Sequence, residues 1–122
     1  MHKLFVYGTL RPFTGKCIGE TIAPATIKAK LYIIGVYVPA VTEVDKTDTL
    51  VHGDLLLIDN STLLQTDRYE HEGQVYRRIR TKATTENKLV MTCWVYEIIS
   101  LQRFTVTLVP SGDWKEYMTR GR

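Results

Sequence analysis

The chain has 122 residues, 44% hydrophobic and 24% charged, with a formal net charge of +3. That length suits one hydrophobic core and is short for two, so a single domain over residues 1–122 is expected. No apolar run is long enough to span a bilayer, Met1-His2-Lys3 leads straight into Leu4-Phe5-Val6 without signal-peptide architecture, and acidic residues nearly balance basic ones. Together these features point to a cytoplasmic protein and argue against a membrane role, while the charge balance alone decides nothing about nucleic acid.

In chain order, residues 3–7 read as a first strand that stops at Gly8, followed by a loop punctuated by Pro12 and Gly15. The stretch 25–41 is rich in β-branched and aromatic residues and reads as one long strand, bent or bulged near Gly35. After a polar turn over 43–49 comes a strand over 50–58, in which Gly53 marks a close backbone approach or a bulge. Asp59, Asn60 or Ser61 can cap the one convincing helix, which opens an apolar face with Leu63 and Leu64 and runs to about His71 before Gly73. Strands over 75–83 and 89–99 follow, joined by a hairpin turn at Glu86-Asn87. A last apolar stretch, 104–109, ends at Pro110-Ser111-Gly112-Asp113.

Many strands around one main helix imply an α+β fold, a small curled sheet, mixed or antiparallel, that closes toward a barrel. A ligand would then sit in the barrel mouth or between sheet and helix. Cys17 and Cys93 match no metal-binding or redox spacing and are expected to stay reduced.

The densest chemistry lies over 66–78, where Asp67, Glu70, Glu72 and His71 share a short stretch with Arg68, Arg77 and Arg78. At 100° per residue Glu70 falls about 20° from Leu63, Asp67 and His71 fall on the same side, and Glu72 falls opposite. A carboxylate pushed into an apolar cavity has a raised pKa and suits proton transfer, whereas a helix-end carboxylate paired with Arg77 or Arg78 is merely structural. Both readings are open on the residues alone. Gly8-Thr9-Leu10 after a strand can likewise expose backbone N–H groups to a carboxylate or an oxyanion, or can simply end the strand.

Phe5-Val6-Tyr7-Gly8-Thr9-Leu10-Arg11 resembles the opening signature of the γ-glutamylcyclotransferase-like family, including its AIG2-like and γ-glutamylamine cyclotransferase branches. Similar segments follow in order: Gly35 to Pro39-Ala40, Val51-His52-Gly53, Asp67-Arg68-Tyr69-Glu70, Tyr76-Arg77-Arg78 and Ser111-Gly112-Asp113-Trp114. The resemblance implies a γ-glutamyl small molecule as substrate and 5-oxoproline as product, with no metal, cofactor or nucleophilic side chain. It implies Glu70 as general base, Tyr7, Gly8, Thr9 and Leu10 as the substrate loop, and Tyr37 beside the site; Tyr76 and Tyr96, as strand aromatics, can line a pocket or belong to the core. In the family the acid is often followed directly by glycine, whereas here His71-Glu72 precede Gly73, which makes Glu72 the alternate base.

Two rival readings exist. Arg77, Arg78 and Arg80 with Tyr76 could form a basic, aromatic strand for single-stranded nucleic acid. Their alternation between strand faces and their acidic neighbours argue instead for internal pairing. The other rival keeps the fold without catalysis, as a binder of a small ligand or a protein partner.

Overall fold

Leu4-Phe5-Val6 is apolar at consecutive positions because β1 (His2–Val6) is covered on both faces. Phe5 points into a core with Ile27, Val51, Leu55 and Val95, while Leu4 and Val6 pack outward with Leu56, Ile58 and Leu63. A computed structural model of the chain describes residues 1–120. Its further elements are β2 (Glu20–Lys28), β3 (Lys30–Ile34), β4 (Val38–Thr42), β5 (Leu50–Ile58), α1 (Asn60–Tyr69), β6 (Tyr76–Thr85), β7 (Val90–Ile98), β8 (Val106–Leu108) and α2 (Trp114–Thr119).

The sheet runs β1-β5-β2-β6-β7-β4-β3-β8, and a parallel pairing of β1 with β7, Leu4 opposite Trp94, closes the first five strands into a barrel. The remaining pairings within that ring are antiparallel. Phe5, Ile27, Leu55 and Val95 fill the barrel almost without exposure, each contributing about 1.5–3 kcal/mol through burial. Helix α1 covers the outer face of the barrel through Leu63 and Thr66 and is capped by the Asp59 carboxylate, which accepts the Thr62 N–H at 2.8 Å.

The expected α+β class, the curled sheet and the 86–87 hairpin match this architecture; three local expectations do not. The stretch 25–41 is not one bent strand but parts of three. β2 leaves its partner β5 at Lys28↔Leu50, and the chain pairs anew as β3 with β4 from Lys30↔Thr42. Gly35, at φ 63°, reverses β3 into β4 instead of bulging a single strand. Helix α1 is not the sole helix: α2 follows, capped by Asp113, with Trp114 buried in the barrel core and its Nε1 donating to the Tyr37 carbonyl at 2.8 Å. Leu64 does not join the apolar face, being 57% exposed, and buried Thr66 takes the inward position on the next turn. Cys17 is exposed and Cys93 buried, both as free thiols. Among the described residues no helix is long and apolar enough to cross a membrane.

Candidate active site

Strands β1 and β4 both run parallel to β7 on the same edge, β1 at Leu4↔Trp94 and β4 at Val41↔Glu97. Two strands cannot continue side by side along one edge, so the chain leaves β1 at Tyr7 and turns across the start of β4. The turn is tight. A Cβ on Gly8 would lie 2.3 Å from Pro39 Cγ, and the Arg11 N–H closes the loop onto the Gly8 carbonyl at 2.9 Å. Gly8 is needed for this close approach rather than for an unusual φ, since it is not among the positive-φ glycines. No hydrogen bond from the amides of Gly8, Thr9 or Leu10 is made among the described residues, and all three residues line a cavity of about 440 Å³. That volume suits a small-molecule ligand.

Tyrosine hydroxyls fasten the walls. Tyr7 donates to the Tyr96 carbonyl at 2.7 Å, Tyr76 to the Pro39 carbonyl at 2.8 Å, and Tyr96 to Asp67 Oδ1 at 2.6 Å. The expected site residues Tyr7 and Tyr76 therefore line the cavity with their rings, their hydroxyl protons already committed to the protein. Burial raises the pKa of both, and the Glu70 carboxylate raises each further, which places that acid electrostatically beside them. Tyr37 also lines the cavity but at its open end, 55% exposed.

Glu70 reaches the cavity because α1 ends one residue before it. Glu70 is the C-cap, His71 stands at φ 52°, its N–H bonds the Arg68 carbonyl at 3.1 Å, and the Glu72 N–H bonds the Asp67 carbonyl at 2.9 Å. This is a Schellman ending with histidine at the left-handed position that usually favours glycine. The helix thus ends at Tyr69, short of the expected His71 and well before Gly73, and the helical-wheel placement of residues beyond Glu70 lapses. His71 is exposed at the cavity rim. Glu72 is exposed, lies outside the cavity lining and accepts the Arg78 N–H at 3.3 Å. Asp67, geometrically inward on the wheel, is bound by Arg78 through two bonds at 2.8 and 3.1 Å.

The arginines that could have neutralised Glu70 are engaged elsewhere. Arg77 pairs with Glu97 at 3.2 Å, Arg78 with Asp67, and Arg78 and Arg80, on one face of β6, both lie over the Trp94 ring at 4.2 and 4.1 Å from its centre. No ion pair or side-chain hydrogen bond of Glu70 is formed among the described residues. Partial burial without a counter-ion raises its pKa from 4.5 to about 7. Such a carboxyl can take up and return a proton near neutral pH. No group of three or more potential metal-ligating side chains occurs among the described residues.

The raised pKa makes a stability prediction. The folded chain holds the Glu70 proton more tightly than the unfolded chain, so the associated stability is complete below pH 4.5 and is lost as pH rises through about 7. At about 1.4 kcal/mol per unit the ceiling is about 3 kcal/mol, and partial access to water reduces it to the order of 1–2 kcal/mol. Glu70→Gln, neutral throughout, should therefore be more stable than the parent by that amount at pH 8 and equal to it at pH 4. Urea denaturation at the two pH values checks this, and equal stability at pH 8 would contradict it.

Sequence reasoning did not find Ile34, Val38, Val75 or Phe104 as cavity residues. Their positions depend on β4 and β3 following β7, which no local pattern announces.

The gamma-glutamyl cyclotransferase, AIG2-like family matches residues 4–116. A protein of Vibrio cholerae provisionally named gamma-glutamylcyclotransferase is 33% identical over 119 residues, covering 93% of this chain and 95% of that protein. YkqA of Bacillus subtilis superposes with a TM-score of 0.75 at 23% identity, over 99% of this chain and 43% of that one, so the chain spans less than half of YkqA. A mouse AIG2-like protein superposes with a TM-score of 0.68 at 22% identity, over 81% of this chain and 78% of its own. At these identities the two structures speak for the fold alone. The family match across nearly the whole chain, together with the Vibrio relative, identifies the chain as a member of the gamma-glutamyl cyclotransferase, AIG2-like family.

Proposed function

We propose that the chain is a cyclotransferase converting a γ-glutamyl amine or amino acid to 5-oxoproline and the free amine, with Glu70 as general base. The observations that support this reading are an acid of pKa about 7, without a counter-ion among the described residues, and a cavity that it shares with Gly8, Thr9 and Leu10, whose amides make no hydrogen bond among those residues. Glu70 is preferred over Glu72 because Glu72 is exposed and outside that cavity.

Ionised Glu70 takes a proton from the substrate's α-ammonium. The freed amine attacks the γ-carbonyl carbon, the new C–N bond closes a five-membered ring, and the carbonyl π pair moves onto oxygen. The loop amides donate to the substrate α-carboxylate or to this oxyanion. Glu70 hands its proton to the leaving nitrogen as the old C–N bond breaks and the carbonyl reforms. The second proton of the ring nitrogen passes to Glu70 and leaves with the amine as ammonium, restoring the carboxylate. The cavity contributes by holding the flexible glutamyl chain folded in attack geometry.

The test is release of 5-oxoproline from γ-glutamyl amino acids, γ-glutamyl amines and glutathione by the purified chain. Product from at least one of them is expected. No product from any of them, with ligand binding retained, would make this a binding protein instead.

A further inference from the structure

Ser111-Gly112-Asp113-Trp114 takes no part in the reaction just described, and none of its residues lines the cavity, yet it is bonded to two of the cavity's walls. The segment is pressed onto β5 at Gly112, where φ is 68° and a Cβ would lie 1.9 Å from the Leu50 carbonyl oxygen, and the His52 N–H bonds the Gly112 carbonyl at 2.7 Å. Glycine alone permits this approach, so the start of α2 is fixed at one place on the barrel.

From that point Asp113 reaches the loop after β1. Its Oδ1 accepts the Glu116 N–H at 3.3 Å, capping α2, and also Arg11 Nη1 at 3.2 Å, while Arg11 Nε donates to Asp54 on β5 at 2.8 Å. Arg11 is buried and stands outside the cavity lining, although Leu10 before it lies within that lining. Its N–H closes the loop onto the Gly8 carbonyl, so the loop is held from behind. Trp114, the next residue, is buried in the barrel core and donates through Nε1 to the Tyr37 carbonyl at the open end of the cavity. Phe13, just after the loop, packs on the Trp114 ring with 6.0 Å between centroids.

A buried ion network adds little net stability, because desolvation of its charges offsets most of their attraction. Its distinctive property is direction, since a guanidinium donates only along the fixed fork of its N–H bonds. Preorganised amides need that direction: small misplacements of donors aimed at developing charge are costly in rate.

We propose that Asp113 and Trp114 are positioning residues for the reaction: Asp113, acting through Arg11, aims the amides of Gly8, Thr9 and Leu10, and Trp114, acting through the Tyr37 carbonyl, fixes the β3–β4 turn at the cavity's opening. This role rests on the proposed cyclotransferase reading for its chemistry, but the positioning itself can be measured without turnover.

Asp113→Ser separates capping from positioning, since serine caps a helix as well as aspartate does but is too short to hold Arg11. With the variant shown to be folded by urea denaturation, its kcat for 5-oxoproline release should fall at least about tenfold with KM within about threefold of the parent, the signature of donors that act in the transition state. Asp113→Asn, which keeps an acceptor for Arg11, should recover most of that loss. Trp114→Phe, which keeps a ring and removes the N–H, should instead raise KM about threefold or more and largely retain kcat. Ile27→Val, a loss of packing in the barrel core outside the cavity lining, should leave both constants unchanged. A kcat loss that Asp113→Asn does not recover, or losses that follow stability alone across all four variants, would overturn the proposal, and an unchanged KM in Trp114→Phe would remove Trp114 from it. If the parent releases no 5-oxoproline from any γ-glutamyl compound, the cyclotransferase reading fails and amide hydrogen exchange decides the positioning by itself. The Arg11 N–H should exchange at least about tenfold faster in Asp113→Ser than in the parent, and at the parent's rate in Asp113→Asn. An unchanged Arg11 rate in Asp113→Ser overturns the positioning with or without turnover.

Discussion

Glu70→Gln should lower kcat/KM for 5-oxoproline release by roughly 10²–10⁴-fold, the range expected when a positioned acid–base group is removed. Glutamine keeps the volume and can hydrogen-bond, yet it cannot carry the proton from the α-ammonium to the leaving nitrogen. The same substitution should stabilise the fold at pH 8, because it removes a carboxylate whose ionisation is disfavoured by burial. Activity and stability would then move in opposite directions, which a purely structural acid would not do. In the parent, kcat/KM should rise with pH through about 7 as Glu70 ionises. Glu72→Gln is the companion measurement and should change kcat/KM by less than about threefold, since Glu72 lies outside the cavity lining and its side chain accepts the Arg78 N–H. A Glu72→Gln variant with the larger loss would transfer the base to Glu72.

The second large effect concerns the barrel. Gly53→Ala should destabilise the chain by about 3 kcal/mol, at the upper end of what overpacking usually costs. The new Cβ would lie 2.3 Å from the Val6 carbonyl oxygen and 2.6 Å from Phe5 Cζ. The first contact is with backbone, which no rotamer change relieves. β1 and β5 would have to separate where Val6 pairs with Asp54, close to the chain's exit into the loop over 7–10. Gly15→Ala is the contrasting case: φ is 94° there, but nothing lies within 4 Å of a built Cβ, so only local backbone strain of about 1 kcal/mol is expected. Urea midpoints of the two variants decide the matter, and equal losses would show that the closeness of β1 and β5 at Gly53 carries no special penalty.

Local patterns in the sequence carried much of the architecture. The apolar run at 4–6, the apolar segments at 50–58 and 90–98, the Asp59 cap and the 86–87 turn each state their own element, because each depends on neighbours within a few residues. Gly53 was legible as a tight approach since a glycine inside a strand leaves space for something else. The short helix α2 was less legible: six residues give little periodicity, and the burial of Trp114 depends on the barrel it enters.

The site divides in the same way. The opening motif and Glu70 were singled out by the family resemblance, whereas spacing along the helix by itself left Asp67, Glu70 and His71 as equal inward candidates. Choosing Glu70 over Glu72 required knowing that His71, not Gly73, adopts the left-handed conformation that ends α1. What surrounds the acid was beyond sequence reasoning, since the cavity exists only because two strands distant in the chain compete for one edge of β7. Sequence alone determined which segments become strands and helices and that an acid follows the main helix, because those properties are set by local sterics and hydrophobic period. Tertiary structure alone decided which arginines pair elsewhere, leaving that acid without a counter-ion, and which apolar side chains rim its cavity, because these depend on strand order and packing between residues far apart in the chain.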